Sequence, residues 1–399
     1  MIPAERIRED AESLHTKAVE TRRHLHRNPE LSFHETQTAA YISTRLTEIG
    51  VPFRDRIAGN GIVGTVTGGL PGGCIALRAD MDALAITEET EHDYRSTNDG
   101  VMHACGHDSH VSSLLMTAEI LMRNRESLPG SVELIFQPAE EIAGGGAKQM
   151  LEENALPPAV KYVFGQHVNT DLPVGTVGFH SGLFMASADE IYITVEGHGG
   201  HAAKPHEAID PIVIGSQLVI ALQQIVSRSA DPTVPSVLTF GKFAGMGAAN
   251  VIPDRVLIEG TFRTIDEAWR NDALSRIESV SRSLTSALGG SATIRIVRGM
   301  PPLVNDTETT DLARERAAEY LGEDAVVEVP PAMWSEDFAY FALFRPSCFY
   351  NLGVRNEERG IIHPVHTSKF DIDEDALKIG GGLLAWIAIG ALERAGRRG

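Results

Sequence analysis

The chain has few cysteines: only Cys74, Cys105 and Cys348 occur among its 399 residues. Three thiols cannot build a disulfide framework, which excludes the small, disulfide-rich secreted class of protein. Segment 1–29 is charged and helical in pattern, and it does not resemble a signal peptide. We therefore expect a protein of a reducing compartment, the cytoplasm.

Basic residues and long apolar runs are also scarce. The 35 Lys and Arg residues stand against 54 Asp and Glu, which gives a formal net charge of -19. Because no basic cluster compensates for this charge, we expect neither a nucleic-acid nor a membrane partner. The longest apolar run, near 381–392, is broken by glycines and is shorter than the ~20 residues of a membrane span. What remains is an ordinary globular composition with enough residues for two domains.

The first half of the chain alternates between strand-like apolar runs and helical patterns. Three of these runs end in polar motifs: Cys74–Leu77 before Arg78-Ala79-Asp80-Met81-Asp82, Ser131–Phe136 before Gln137-Pro138-Ala139-Glu140-Glu141, and Tyr162–Gly165 before Gln166-His167. Alternating strands and helices predict an α/β fold with a mainly parallel sheet covered by helices. Ligands bind beyond the carboxyl ends of such strands, where these side chains fall.

Residues 183–296 have a different pattern, with the order β-α-β-β-α-β. This order predicts a split βαβ (ferredoxin-like) unit that folds as a domain of its own. After it the chain returns to α/β material. We therefore predict a catalytic domain formed by 1–182 and 297–399, with 183–296 inserted as a satellite domain.

The stretch Met102–His110 is dense in candidate metal ligands, with three histidines, a cysteine and an aspartate in nine residues. Cys105 and His107 are good ligands for a borderline transition metal, and Gly106 between them lets both side chains turn to one side. A polar turn before a helix, with a packed thiol, is the alternative interpretation. This stretch alone does not decide between the two interpretations, because the other ligands of a metal site must come from elsewhere in the chain.

A pair of adjacent carboxylates, Glu140-Glu141, follows a buried strand. Neighbouring carboxylates repel each other unless a cation lies beside them. At the predicted sheet edge, near Cys105, His107 and His167, one glutamate could bind metal while the other acts as general base toward a metal-activated water. The alternative is a pair of solvated glutamates. A last ligand could come from His366 or His363, and spacing alone does not choose between them.

In the inserted domain, Gly197–His206 follows a predicted strand and holds three histidines among glycines. Few carboxylates accompany them, so a histidine that donates a hydrogen bond to a substrate oxyanion is a better hypothesis than a second metal site. Arg263 and Asn250 could bind a substrate carboxylate. For Arg263, a surface salt bridge is an equally good explanation.

Taken together, the motifs resemble those of the hippurate hydrolase and indole-acetyl-amino-acid hydrolase family, which is related to aminoacylase and carboxypeptidase G. The resemblance runs in order from about residue 20 to 380. The motifs that carry it are His26-x-x-Pro29-Glu30-Leu31-Ser32-Phe33, Arg78-Ala79-Asp80-Met81-Asp82-Ala83-Leu84, His103-Ala104-Cys105-Gly106-His107-Asp108, Phe136-Gln137-Pro138-Ala139-Glu140-Glu141, His201-Ala202-Ala203-x-Pro205-His206, Gly260-Thr261-Phe262-Arg263-Thr264, Ser335-Glu336-Asp337-Phe338 and His366-x-x-x-Phe370.

The resemblance implies two divalent metal ions per subunit. Cys105 would bridge them, and the other ligands would be His107, Glu141, His167 and His366, so that His366 is chosen over His363. Glu140 would be the general base and Asp82 a carboxylate that orients a ligand. His103 and His110 would be structural. The inserted domain would form a homodimer in which His201 reaches the partner's active site.

From these expectations the sequence predicts a metal-dependent amidohydrolase that cleaves the amide of N-acyl or N-aroyl amino acids. The thiolate favours zinc, cobalt or nickel, while the resemblance also allows manganese. A dipeptidase or aminopeptidase of the same superfamily is the alternative enzyme. A metal-dependent binding protein without turnover is a further alternative, which the presence of Glu140 disfavours.

Overall fold

The computed structural model describes residues 2–397, and its element bounds follow. The helices are α1 Ala4–Arg27, α2 Thr36–Ile49, α3 His107–Arg123, α4 Gly146–Glu152, α5 Pro211–Gln224, α6 Glu267–Ala287, α7 Thr307–Leu321, α8 Ala339–Phe344 and α9 Asp375–Arg397. The strands are β1 Phe53–Ile57, β2 Gly61–Thr67, β3 Leu70–Asp80, β4 Pro129–Gln137, β5 Val160–Pro173, β6 Val177–Phe179, β7 Gly182–Met185, β8 Asp189–Glu196, β9 Gly200–His201, β10 Ser236–Gly245, β11 Val251–Ile252, β12 Arg255–Thr264, β13 Ser291–Arg298, β14 Leu303–Asn305, β15 Val326–Glu328 and β16 Ser347–Arg355.

The chain forms two compact units. The first comprises the chain up to Phe184, Val304–Pro330 and the chain from Asp337 onward. The second comprises Met185–Leu303 with Pro331–Glu336. The first unit is therefore built from separated segments of the chain, with most of the second unit lying between them in sequence.

The first unit is organised around an eight-stranded sheet in the order β1-β2-β4-β3-β5-β16-β6-β15. Its central strands β4, β3, β5 and β16 are all parallel. Their carboxyl ends therefore meet at one edge of the sheet, and β3 and β4 end there in register at Asp80 and Gln137. The predicted mainly parallel sheet is confirmed.

Strand β5 differs from its prediction, because it runs on to Pro173 instead of ending at Gly165. The extension is held by parallel pairing with β16, in which His167 lies opposite Asn351 and Asn169 opposite Gly353. His167 therefore lies within a strand and not in a loop. After the second unit's short segment Pro331–Glu336, helix α8 begins at Ala339 and is six residues long.

Helices α3 and α9 carry the main core of the first unit. Both pack against β3 and against each other, and the core cluster includes Leu114 and Leu121 of α3 with Leu384 and Ile387 of α9. Each of these four side chains is at most 1% exposed. Burial on this scale, at ~25 cal/mol per Å² of apolar surface, supplies the main free energy that holds the helices on the sheet.

The second unit has the sheet order β10-β12-β8-β13, with every neighbouring pair antiparallel. Helices α5 and α6 pack against this sheet and enclose a core with Ile193, Leu218 and Ile277. Asp210 begins α5 by accepting hydrogen bonds from Ile212 N and Val213 N. Together with the two intervening helices, this strand order confirms the predicted split βαβ fold.

Among the described residues, two helical segments have the length and hydropathy of a membrane span, Pro211–Ser229 and Asp375–Gly396. In the second, which lies in α9, 83% of the apolar window is buried within the protein, as expected for a core helix. In the first, which begins with α5, only 28% is buried. An apolar face of α5 is therefore exposed on the second unit.

Candidate metal centre

Cys105 and His107 lie on either side of a tight turn at the start of α3. Gly106 precedes the helix with φ 81°, a left-handed conformation that glycine adopts without a steric penalty. A side chain at this position would also collide with Val168, because its Cβ would lie 2.6 Å from Val168 Cγ2. The glycine is therefore required twice, once for the turn and once for the close approach of β5.

The five predicted ligands converge around the Cys105 sulfur. Cys105 Sγ lies 3.3 Å from His167 Nε2 and 3.2 Å from His366 Nε2. Glu141 Oε1 lies 3.3 Å from His366 Nε2 and 3.8 Å from His107 Nε2. Two groups with the geometry of metal ligands result, Cys105-His107-His167 and Cys105-Glu141-His366, and they share the sulfur.

These groups fit metal ions. Ligand atoms 2.0–2.3 Å from one tetrahedral ion lie about 3.3–3.8 Å from one another, close to the separations found here. His107 Nε2 and Glu141 Oε1 are moreover buried and make no hydrogen bond. Buried polar atoms without partners are uncommon, and a cation between them would satisfy both.

The charges of the site also favour a bound cation. Burial alone would lower the pKa of the His107 imidazole, but Asp80 and Asp82 outweigh burial and raise that pKa to about 10. Burial raises the pKa of the Cys105 thiol well above its ordinary value, and Glu141 raises it further. The centre thus has excess negative charge, which a divalent cation can balance by displacing these protons.

Asp82 hydrogen-bonds to two residues of this cluster. Its Oδ1 lies 3.2 Å and its backbone oxygen 2.9 Å from His107 Nδ1, so Nδ1 carries the proton and Nε2 faces the other ligands. Its Oδ2 accepts hydrogen bonds from Glu141 N at 3.0 Å and from Ser32 Oγ at 2.7 Å. One buried carboxylate therefore contacts both His107 and Glu141, two of the predicted ligands.

His366 reaches the cluster through an unusual backbone conformation. Its φ is 62°, and its N–H donates to Ala104 O at 2.7 Å, next to Cys105 in the chain. Its side chain is half exposed, whereas His107 is fully buried. His363 is exposed and belongs to neither ligand group around Cys105.

Glu140 lies beside the ligands without belonging to the groups around Cys105. It is 6% exposed, and its Oε2 lies 4.0 Å from His107 Nε2. Glu140 is therefore a buried carboxylate next to the ligand groups, a position from which a general base could act on a water held there.

A buried polar network under the cluster was not assigned from the sequence. Arg78 donates to Asp80, Gln137 and Asp337 at 2.7–2.8 Å, and these contacts tie together the ends of β3 and β4. His110 Nδ1 lies 2.6 Å from Asp80 Oδ1, and its Nε2 accepts from Val168 N. The sequence signal that could have revealed this network is the set of charged residues at the ends of apolar strands. Charged side chains that are buried there need hydrogen-bonding partners of opposite charge or polarity.

The remaining predicted residues lie in the second unit. His201 in β9 pairs with Val251, and Ala202 N donates to Asn250 O, so His201 and Asn250 are neighbours on an exposed surface. Arg263 ends β12, half-buried. Its guanidinium donates to Met333 O and Ser335 Oγ, and it has no salt bridge within residues 2–397. The surface salt bridge considered for Arg263 is therefore wrong.

Comparison with known proteins gives consistent matches. The sequence model of Peptidase family M20/M25/M40 matches residues 76–388. Thermostable carboxypeptidase 2 of Saccharolobus solfataricus is 37% identical over 96% of this chain and 98% of its own length. IAA-amino acid hydrolase ILR1-like 4 of Arabidopsis thaliana is 40% identical over 93% of this chain and 84% of its own. The crystal structure of Bacillus subtilis YXEP, described as a dinuclear metal binding peptidase from the M20 family, superposes with a TM-score of 0.81 at 34% identity over 96% and 99% of the two chains.

Proposed function

Since the chain belongs to peptidase family M20/M25/M40, we propose that it hydrolyses the amide bond of N-acyl or N-aroyl amino acids, releasing a carboxylate and an amino acid. A metal-dependent amidohydrolase or peptidase is the class common to this family. The observation that carries the proposal is the pair of ligand groups sharing the Cys105 sulfur, with Glu140 beside them. The similarity to a plant IAA-amino acid hydrolase supports an N-acyl amino acid as substrate.

The chain's own residues have separate roles in this reaction. Cys105, His107, Glu141, His167 and His366 would hold two divalent ions. When bound, such ions supply Lewis-acid polarisation of a carbonyl and a lower pKa for water. Glu140 accepts the proton of the attacking water and passes it to the leaving amine.

In the second unit, we propose that His201 stabilises the oxyanion while Arg263 and Asn250 bind the substrate carboxylate. A half-buried guanidinium that has no carboxylate partner among residues 2–397 suits that last task, because its planar fork matches a carboxylate. Burial lowers the pKa of the Arg263 guanidinium, yet the group stays charged, since arginine titrates far above neutral pH.

We further propose a cytoplasmic homodimer in which His201 acts in the partner's site. The apolar, largely exposed α5 supports an interface on the second unit, because exposed apolar faces of this kind mark association surfaces. The three free cysteines are buried in the structure, which agrees with a reducing compartment. Zinc or manganese is the proposed metal, with cobalt or nickel as further options.

A peptidase activity is the second candidate, and the similarity to thermostable carboxypeptidase 2 favours it specifically. Initial rates decide between the two. The test is a panel of N-acetyl and N-benzoyl amino acids and dipeptides, run on protein with zinc, manganese, cobalt or nickel restored in turn. Faster turnover of N-acylated amino acids supports the proposal, whereas preference for dipeptides with a free amino group overturns it.

The role of Glu140 is tested by Glu140→Gln, which keeps the shape of the side chain and removes the base. We expect kcat to fall about 10²–10⁴-fold with metal content unchanged. Glu152→Gln, at an exposed position that ends α4, is the control and should behave as wild type. Retained turnover in fully loaded Glu140→Gln protein would exclude Glu140 as the base.

For His201, subunits carrying His201→Ala are mixed with subunits carrying Glu140→Gln. Each homodimer alone should be inactive. Mixed dimers regain activity only if the histidine of one subunit completes the site of the other. No recovery on mixing counts against action in trans.

A further inference from the structure

Glu35 is a buried carboxylate close to the metal centre that has no part in the mechanism above. Its side chain is fully buried, and three donors surround it. Oε1 accepts from Phe33 N at 2.9 Å and from Ala139 N at 2.8 Å, while Oε2 accepts from Asn60 Nδ2 at 3.0 Å. The Ala139 contact joins residues 104 positions apart in sequence.

Helix capping does not explain this carboxylate. Glu35 directly precedes α2, but its side chain makes no bond to the helix. That task belongs to Glu30, whose carboxylate accepts from Gln37 N and Thr38 N and from the Thr36 and Thr38 hydroxyls. Because α2 is capped without it, the cost of burying Glu35 must be offset by its other contacts.

The contact with Ala139 falls at a strained position. Ala139 has φ 55°, a left-handed conformation that a residue with a Cβ rarely adopts unless its surroundings impose it. Its C=O accepts from Gly146 N at the start of α4, whereas its N–H donates to Glu35, which lies far away in sequence. Glu35 therefore provides the tertiary contact that holds the amide of this residue.

Glu140 and Glu141 follow Ala139 directly. Glu141 N is held in turn by Asp82 Oδ2, and Ser32, three residues before Glu35, donates to the same Asp82 oxygen. Two buried carboxylates thus hold the backbone N–H groups of Ala139 and Glu141, the residues before and after Glu140. The backbone direction at this point determines where the side chains of Glu140 and Glu141 extend.

We propose that Glu35 is a positioning residue of the metal centre, which holds Ala139 in its left-handed conformation and so directs Glu140 and Glu141 toward the other ligands. The inference rests on the proposed function, since it assigns Glu141 to a metal and Glu140 to proton transfer. Glu35 itself touches neither substrate nor metal.

The test compares Glu35→Ala, Glu35→Asp and Glu35→Gln with wild type. Metal affinity is measured by chelator competition with Co²⁺, the Co²⁺ absorption spectrum reports the ligand geometry, and kcat and KM are measured at saturating metal. We expect Glu35→Ala to weaken Co²⁺ binding about 10–100-fold, the usual effect of removing a residue that orients a ligand, and to lower kcat with little change in KM. Glu35→Gln should restore most of both values, because its amide oxygen still accepts from Ala139 N.

Glu30→Ala is the matched control. It removes the cap of α2 from the same loop, so it should lower stability toward urea while leaving Co²⁺ affinity, spectrum and kcat within twofold of wild type. Glu35→Asp is a second test variant, which can be used if Glu35→Ala does not fold. It keeps the charge and suits a helix start, but it is one methylene too short to reach Ala139, so it should weaken Co²⁺ binding as well.

Equal Co²⁺ affinity in wild type, Glu35→Asp and any folded Glu35→Ala protein would overturn the inference, as would losses no larger than those of Glu30→Ala. If wild type binds Co²⁺ but hydrolyses no N-acyl amino acid, the proposed function fails. The Co²⁺ affinities and spectra of the Glu35 variants would still decide whether Glu35 positions the ligands.

Discussion

His110 lies between Asp80 and the strand that carries His167. Its Nδ1 is 2.6 Å from Asp80 Oδ1, and its Nε2 is 3.0 Å from Val168 N. Because a backbone N–H can only donate, Nε2 must be the acceptor, and Nδ1 must carry the proton given to Asp80. Burial lowers the pKa of His110 to about 4, so the ring is neutral at neutral pH and this tautomer persists.

We expect His110→Ala to destabilise the protein and to weaken metal binding together. The variant leaves the buried Val168 N–H without an acceptor, which costs about 1–3 kcal/mol, and it loosens the strand beside the ligand His167. Metal affinity should fall about 10–100-fold. Urea unfolding and chelator competition measure the two effects. His206→Ala, with a side chain 75% exposed, is the control and should change neither.

His366 and His363 make a matched pair, since they lie three residues apart and both are exposed at least in part. His366→Ala should lose metal, because it removes the nitrogen 3.2 Å from Cys105 Sγ, while His363→Ala should bind metal as wild type does. Metal content after dialysis against chelator is the measurement. Depletion of metal in His363→Ala, or full content in His366→Ala, would contradict the ligand assignment.

The sequence predicted the donor types and the sheet edge because both depend on local patterns. Cys105, His107 and Glu141 stand at the ends of apolar segments, and the alternation of strands and helices places such ends together. The choice between His366 and His363 is different. It depends on a left-handed φ at His366 and on a backbone bond to Ala104, and neither feature is encoded in the spacing of the histidines.

The contact partners of Glu35 and His110 could not be predicted for a related reason. In sequence, Glu35 is a polar residue before a helix and His110 a histidine on one, and both patterns are common on protein surfaces. Their partners, Ala139 and Val168, are backbone groups more than 50 residues away, so only the tertiary fold assigns the contacts. The full length of β5 likewise follows from pairing with the distant β16.

Arg22 is a fully buried cation bonded to three carboxylates. Its Nε lies 2.9 Å from Asp108, its Nη2 2.6 Å from Asp371 and its Nη1 3.3 Å from Glu374. Arg22→Met leaves buried carboxylates without their counter-charge, so the free energy of unfolding should fall by about 3–5 kcal/mol. Arg23→Met is the control. Arg23 is partly exposed; it forms a salt bridge with Glu374 and lies over the Tyr94 ring, so its loss should cost about 1–2 kcal/mol, less than the loss of Arg22.

The Arg22 effect should depend on pH with a defined sign. Burial alone would raise the pKa of Asp371, but Arg22 outweighs burial and lowers it. A carboxyl whose pKa is lower in the folded state stabilises the protein above its unfolded pKa of about 3.9, and this contribution is lost as pH falls through the folded value. The difference between wild type and Arg22→Met should therefore be largest near pH 7 and shrink below about pH 4. A difference that does not change with pH would contradict the ion-pair explanation.

The exposed face of α5 leads to the last prediction, which concerns assembly. Ile220 is 70% exposed and Val213, one heptad earlier on the same face, is 51% exposed. If this face is the homodimer interface, Ile220→Asp buries an unpaired charge there and should weaken association by about 3–5 kcal/mol, which shifts the protein toward monomers. Leu343→Asp is the control, since Leu343 is 66% exposed in the first unit and its substitution should leave the dimer intact.

Sedimentation velocity gives the molecular mass of each variant. A dimeric Ile220→Asp protein would place the interface elsewhere, whereas a monomeric and inactive one with intact metal content would agree with His201 acting across the dimer.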